Sequence, residues 1–194
     1  MAVKRGVCHL AGAHLLDTET GEYNISYLKR YLPETKVRLV NLVMRTQGLI
    51  IQKENPKGLS KIEDLCKNDV VFINRQGGSG TRILLDYQLA KIGLSSNRIN
   101  GYANEEFTHM NVAVAVLSGT ADAGLGIFAA AKALNLEFIP VVTEQYDLVI
   151  PEEYFNSPGI RRLLETIQTD SFKKRVEALG GYSTVKTGMV VSDL

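Results

Sequence analysis

Residues 70–85 read VVFINRQGGSGTRILL: a β-branched strand passes through two consecutive glycines and Ser-Gly-Thr-Arg straight into a helical pattern. Strand-like runs at Arg38–Met44, Leu49–Gln52, Val70–Asn74, Phe138–Val142 and Leu148–Ile150 alternate with helical patterns, the signature of an α/β architecture. Helix signals are clear between them. Ser60-Lys61-Ile62-Glu63 reads as a capping box, and Ser157-Pro158 places an N-cap and an N1 proline before GIRRLLETIQ. In THMNVAVAVLSG the apolar residues Met110, Ala113, Val114 and Leu117 follow i, i+3, i+4, i+7 and predict a helix, with Gly119 as a stop. A last helix, SFKKRVEAL, follows Asp170 and ends at Gly180-Gly181. Asn55-Pro56-Lys57-Gly58 and Pro151 punctuate the chain after apolar strands and are candidate crossing points between lobes.

A glycine turn that leads from a strand into a helix aims several backbone N–H groups at one spot, with the positive end of the helix dipole behind them. Such a spot attracts anions. Ser79 and Thr81 add hydroxyls, and Arg75 and Arg82 can supply permanent positive charge. Three better-known loops do not fit. A Walker loop needs Lys after its last glycine, and Gly80 is followed by Thr81-Arg82; a dinucleotide fingerprint from Gly78 and Gly80 would need glycine at Ile83; a nucleophile elbow on Ser79 would need glycine at Thr81. The plain alternative is a tight connection whose glycines satisfy positive φ, with Ser79 as an ordinary N-cap. A helix dipole stabilises an exposed ion by only about 0.3–1 kcal/mol, so a useful site also needs hydroxyls, several N–H donors and a second wall.

The 194 residues suffice for one large domain or two small lobes, and 22 Lys+Arg against 21 Asp+Glu leave a net charge of +1. That balance gives no electrostatic footprint for nucleic acid. MAVKRGVCHLAGAHLLD lacks the apolar core of a signal peptide, and no run is long enough to span a membrane. Cys8 and Cys66 read as thiols in a reduced, cytoplasmic protein, unless a leader has been removed. His9, His14 and His109 have no metal-site spacing, and Ser79, His109 and Asp122 form a triad only on paper. Glu105-Glu106 reads as negative charge ahead of a helix capped by Thr108, and Asp122 as a turn tie. Gly124 and Gly126 admit close approach of a backbone or a ligand, and Tyr146 and Asp147 sit where a returning chain could face a cleft.

The strings AGAHLLDTETGEYN, QGLIIQKENPKG, FINRQGGSGTRILLD, EEFTHMNVAVAVLSGTADAGLGI and FIPVVTEQYDLVIP resemble the periplasmic-binding-protein-like domain attached to molybdopterin-biosynthesis proteins and to some molybdate-responsive regulators. More remotely, the chain is similar to type II molybdate- and tungstate-binding proteins and to LysR effector domains. The resemblance implies a type II periplasmic-binding-protein-like α/β fold of two lobes joined by two crossing strands, near Gln47–Gln52 and Glu144–Ile150. Residues 1–47 and 143–194 would form lobe I, truncated at its N-terminus relative to the family, and residues 48–142 lobe II.

On that resemblance the protein is a non-catalytic sensor in molybdenum cofactor metabolism, with no cofactor of its own and molybdate or tungstate as ligand. Arg75, Gln76, Gly78, Ser79, Gly80, Thr81 and Arg82 would form the lobe II half of the site, faced by His14, Thr46, Gln47 and Tyr146. Rival expectations are an accessory domain of a molybdopterin-biosynthesis enzyme and a ligand-free regulatory or oligomerisation module. The partners implied are a small anionic ligand, a molybdopterin-biosynthesis or DNA-binding domain in a longer chain, and a second copy in a homo-oligomer, without a membrane.

Overall fold

The structure is a computed structural model and describes residues 2–194. In chain order its elements are β1 (Ala11–Ala13), α1 (Ile25–Tyr31), β2 (Val37–Ile51), β3 (Phe72–Arg75), α2 (Gly80–Lys91), β4 (Glu105–Glu106), α3 (His109–Leu117), β5 (Ala123–Ile127) and α4 (Phe128–Ala133). They continue as β6 (Glu137–Pro151), α5 (Glu152–Phe155), α6 (Pro158–Gln168), α7 (Asp170–Ala178), β7 (Tyr182–Ser183) and β8 (Val190–Asp193), with three short 3-10 turns between. This is the mixed α/β fold expected from the alternation. Two pairs of expected strands merge: Arg38–Met44 and Leu49–Gln52 join in the single β2, which ends at Ile51, and Phe138–Val142 and Leu148–Ile150 lie within β6. The polar residues between each pair break the apolar pattern but leave backbone pairing intact.

The chain divides into two compact units, one up to Arg45 plus Glu144–Leu194, the other Thr46–Thr143. The divisions fall inside β2 and β6, not at Asn55–Gly58 or Pro151.

In the first unit β6 pairs antiparallel with β1 (Ala13 opposite Asp147), and β2 pairs antiparallel with β7 and β8. Strand alternation sends Leu39 and Val149 to one core with Leu28 and Leu32, and Val40, Leu148 and Ile150 to another with Ile160 and Ile167. α6 has Ser157 at its N-cap position and Pro158 in its first turn, although the Ser157 side chain makes no capping bond. Thr169 caps α7, its hydroxyl accepting from Phe172 N. Asp147, wholly buried, accepts from Asn24 Nδ2 (2.8 Å), Asn41 Nδ2 (2.9 Å) and Gln145 Nε2 (2.7 Å). It therefore ties β6 to β2 and to the loop before α1.

In the second unit the order is β2-β5-β3-β4, with β5 antiparallel to β2 and β3 parallel to both β5 and β4. β3 is buried throughout and β5 over its first four residues, as expected of parallel strands covered on both faces. α2 buries Leu84, Leu85 and Leu89. α3 buries Val112, Ala113, Ala115 and Val116, not the Met110–Val114–Leu117 stripe, which is exposed. The cause lies in β5, where a Cβ added at Gly124 would stand 2.4 Å from Val112 Cγ1 and 2.9 Å from the Ile73 carbonyl. Only the face with small residues approaches a strand that closely. Gly124 thus serves helix–sheet packing. The capping box lies one residue later than Ser60–Glu63: Lys61 is the N-cap of the 3-10 turn Ile62–Cys66, and the Asp64 carboxylate accepts from Lys61 N (3.2 Å), Ser60 N (2.8 Å) and the Ser60 hydroxyl (3.0 Å). Asp122 ties its turn as expected, accepting from Val71 N at 2.8 Å.

Two outcomes test these packing arguments. Asp147→Ala removes the shared acceptor of the buried Asn24 and Asn41 amides and of Gln145 and should cost about 1–3 kcal/mol in urea unfolding. Gly124→Val forces a side chain into the α3–β5 contact and should cost about 1–3 kcal/mol or more by the same measurement.

Candidate functional site

The parallel arrangement of the second unit decides where its functional groups gather. β3 and β4 run side by side, so the turns after them, which open α2 and α3, lie at the same C-terminal edge of the sheet. Ligands of open α/β sheets bind at that edge. After Arg75 the chain turns through Gln76 and Gly77, and Gly78 adopts φ +80°, which a side chain would strain. Ser79 is the N-cap of α2 in extended conformation (φ −71°, ψ 146°), and its Oγ accepts from Arg82 N at 3.2 Å.

Backbone donors of the loop divide into used and open. Ser79 N donates to Gln76 O (3.2 Å), Gln76 N to Glu106 O (3.1 Å), and Gly77 N to the Glu105 carboxylate (3.1 Å). Among the described residues no acceptor takes the N–H of Gly78, Gly80 or Thr81. The last two are the helix-start N–H groups that lack a partner within the helix. Three N–H groups and the Ser79 hydroxyl proton thus stand open beside the positive end of α2.

The two arginines serve the loop itself. Arg75 is buried, its Nε donating to Gln76 Oε1 (3.1 Å) and Glu106 O (3.2 Å) and its Nη2 to Phe107 O (2.9 Å). Arg82 lies over the Tyr102 ring at 4.0 Å and donates from Nη1 to Arg75 O (3.3 Å) and Glu105 Oε1 (3.2 Å). Burial and the hydrogen bond to Asp86 push the Tyr102 phenol above its ordinary range. Thr81, buried, donates its hydroxyl to Gln47 Oε1 at 2.9 Å, so the α2 start is pinned to β2 and that hydroxyl proton is committed. Thr46, the neighbour of Gln47 on β2, is half-buried.

Of the residues picked out in the sequence, 75–82 and Gln47 thus come together in the second unit. His14 and Tyr146 lie in the first, their rings stacked with centroids 5.0 Å apart. Arg45 covers Tyr146 at 5.1 Å and pairs with the buried Glu144, whose other oxygen lies 3.8 Å from His14 Nδ1. Sequence reasoning missed Arg45, Glu144 and Glu105. Glu105 was read as helix-end charge, yet its place in β4 turns it onto the glycine loop, while Glu106 accepts from Asn111 in the first turn of α3. Nothing local marks that choice. Ser79 and Asp122 accept from Arg82 N and Val71 N respectively, so both oxygens of the paper triad are engaged elsewhere. Among the described residues no cluster of three His, Cys, Asp or Glu could hold a metal, and no helix is long and apolar enough to cross a membrane.

The PBP superfamily domain model matches residues 1–168, and the chain belongs to that family. It is similar to the Bacillus subtilis (strain 168) protein YvgK, described as uncharacterized, at 39% identity over 187 residues, which cover 96% of this chain and 60% of YvgK. The chain therefore spans about 60% of the length of that relative. In fold it resembles a Clostridium perfringens protein described as a phosphate ABC transporter substrate-binding protein, solved with bound phosphate (TM-score 0.62, 15% identity, 95% of this chain and 82% of that one). It also resembles a substrate-binding domain described as that of a molybdenum ABC transporter from Clostridium difficile (TM-score 0.53, 17% identity, 94% and 80%).

The capping role of Ser79 can be isolated. Ser79→Ala should lower unfolding stability by about 1 kcal/mol, and Ser79→Asp, which caps equally well, should restore it in chemical denaturation.

Proposed function

We propose that the protein is a non-catalytic binding domain for a small tetrahedral oxyanion, seated on the loop Gly78–Thr81. The observation that carries the reading is the set of open N–H groups at Gly78, Gly80 and Thr81 beside the Ser79 hydroxyl, at the C-terminal edge of a parallel sheet. An oxyanion has several acceptor oxygens and no donors when fully ionised, which matches a cradle composed of donors. Arg75 and Arg82 contribute by holding the loop and by their charge at a distance, since their guanidinium groups already serve Glu106, Phe107, Arg75 and Glu105 oxygens.

Molybdate or tungstate is the preferred occupant, and molybdenum cofactor metabolism the setting. The blocks NRQGGSGTR and TADAGLGI support this, as does the fold likeness to the domain described as belonging to a molybdenum transporter. Phosphate is the competing oxyanion, favoured by the likeness to a phosphate-bound protein. Cys8 and Cys66, both free thiols, are in keeping with a cytoplasmic sensor.

Calorimetric titration with molybdate, tungstate, phosphate and sulfate tests the reading. Saturable binding of one oxyanion is expected, and a folded chain that takes up none of the four overturns it. Gly80→Pro removes one donor at the first helical position, where proline is tolerated, and Ser79 already has the extended conformation that must precede proline. This variant should keep its melting temperature and lose about 10- to 100-fold in affinity, the equivalent of one hydrogen bond to a charged group.

A further inference from the structure

The glycine loop already carries one anionic group, and the chain itself supplies it. Glu105 opens β4, and its Oε1 accepts from Gly77 N (3.1 Å) and from Arg82 Nη1 (3.2 Å). The open N–H of Gly78 follows directly, so a carboxylate oxygen sits next to the donors proposed for the oxyanion. A carboxylate and a dianion on neighbouring N–H groups repel each other. The ligand therefore gains the Gly77 donor, and the undiminished charge of Arg82, only when the carboxylate leaves.

We propose that Glu105 is a built-in competitor for the anion site: its carboxylate covers the Gly77 N–H and neutralises Arg82 in the empty protein, and an arriving oxyanion displaces it. The inference rests on the oxyanion reading above. The contact is suited to displacement. Both bonds end on Oε1, and the Glu105 side chain is 39% exposed, so its pair with Arg82 is of the weak surface kind. Departure needs only side-chain torsions, because backbone bonds anchor β4: Asn74 N donates to Asn104 O (2.9 Å) and Gln76 N to Glu106 O (3.1 Å). The loop keeps its shape without Glu105, through Ser79 N on Gln76 O and the Thr81 hydroxyl on Gln47. Arg82 also stays in place, held by the Arg75 carbonyl, the Tyr102 ring and the Asp86 carboxylate at 3.7 Å. Strand alternation makes the choice of carboxylate: Glu106, one residue on, accepts from Asn111 Nδ2 instead.

Calorimetric titration of the wild-type chain, Glu105→Ala and Glu105→Asp with molybdate, tungstate, phosphate and sulfate, at one pH and one ionic strength, tests this. A contact closed about nine-tenths of the time weakens apparent affinity about 10-fold, so Glu105→Ala should bind the preferred oxyanion about 10-fold more tightly than wild type. Glu105→Asp keeps the charge on a side chain one methylene shorter, which no longer reaches the Gly77 N–H, and it too should bind more tightly than wild type. It also serves as the second variant if alanine disturbs β4, with circular dichroism as the check on folding. A wild-type chain that binds an oxyanion while Glu105→Ala binds it no better, or more weakly, overturns this inference alone and leaves Glu105 as a brace of the loop. Wild-type affinity in Glu105→Asp overturns displacement as well, since repulsion at a distance would then account for any gain in Glu105→Ala. Absence of binding in both the wild type and Glu105→Ala overturns the oxyanion reading and this inference with it.

Discussion

The buried Asp147 carboxylate is the interaction on which the first unit depends. A carboxylate removed from water persists only when its oxygens are hydrogen-bonded, and here three side-chain amides do so without a cation. Each amide comes from a different place: Asn24 from the residue before α1, Asn41 from β2, Gln145 from β6 itself. Asn24 also accepts from Leu15 N and donates to the Ala13 carbonyl, which holds it at a positive φ of 69°. One side chain thereby fixes a strand register, a loop closure and a helix start. Because β2 and β6 continue into the second unit, the strands ordered at this point are the ones that carry the chain onward.

In the second unit the equivalent economy lies in the glycine loop. Its arginines, its Thr81 hydroxyl and one of its N–H groups are spent on Gln47, Glu105 and the carbonyls of residues 75, 106 and 107. This internal network holds the loop in a defined shape, and the N–H groups it leaves open are preorganised as a consequence. Rigid presentation lowers the entropic cost of binding. Family membership and the fold likenesses agree on the PBP-like architecture, and the open donors are what the proposed oxyanion role rests on.

Much of this was readable along the chain because it is local. The β3–loop–α2 junction, the Ser79 and Thr108 caps, Pro158 in the first turn of α6 and the stop after α3 all depend on residues within a turn of one another. Which face of α3 is buried was not legible for a different reason. HMNVAVAVL is apolar on more than one side, so periodicity offers several phases and the close approach of Gly124 selects among them. The hydrogen bonding of Asp147 was not legible because its three partners come from separate elements, two of them more than 100 residues away in the chain.

The sequence by itself determined the α/β class and the strand-to-helix glycine turn with its Ser79 cap, since cap residues and positive-φ glycines act over a few neighbouring positions. Only the tertiary structure decided that Arg75 and Arg82 brace the loop, that Glu105 takes the Gly77 N–H, that β2 and β6 each run unbroken, and that an apolar stripe of α3 stays outside. These outcomes depend on which distant segments meet. A hydrogen bond or a packed methyl group is specified by distance in space, and spacing along the chain carries no record of it once the partners lie on different strands.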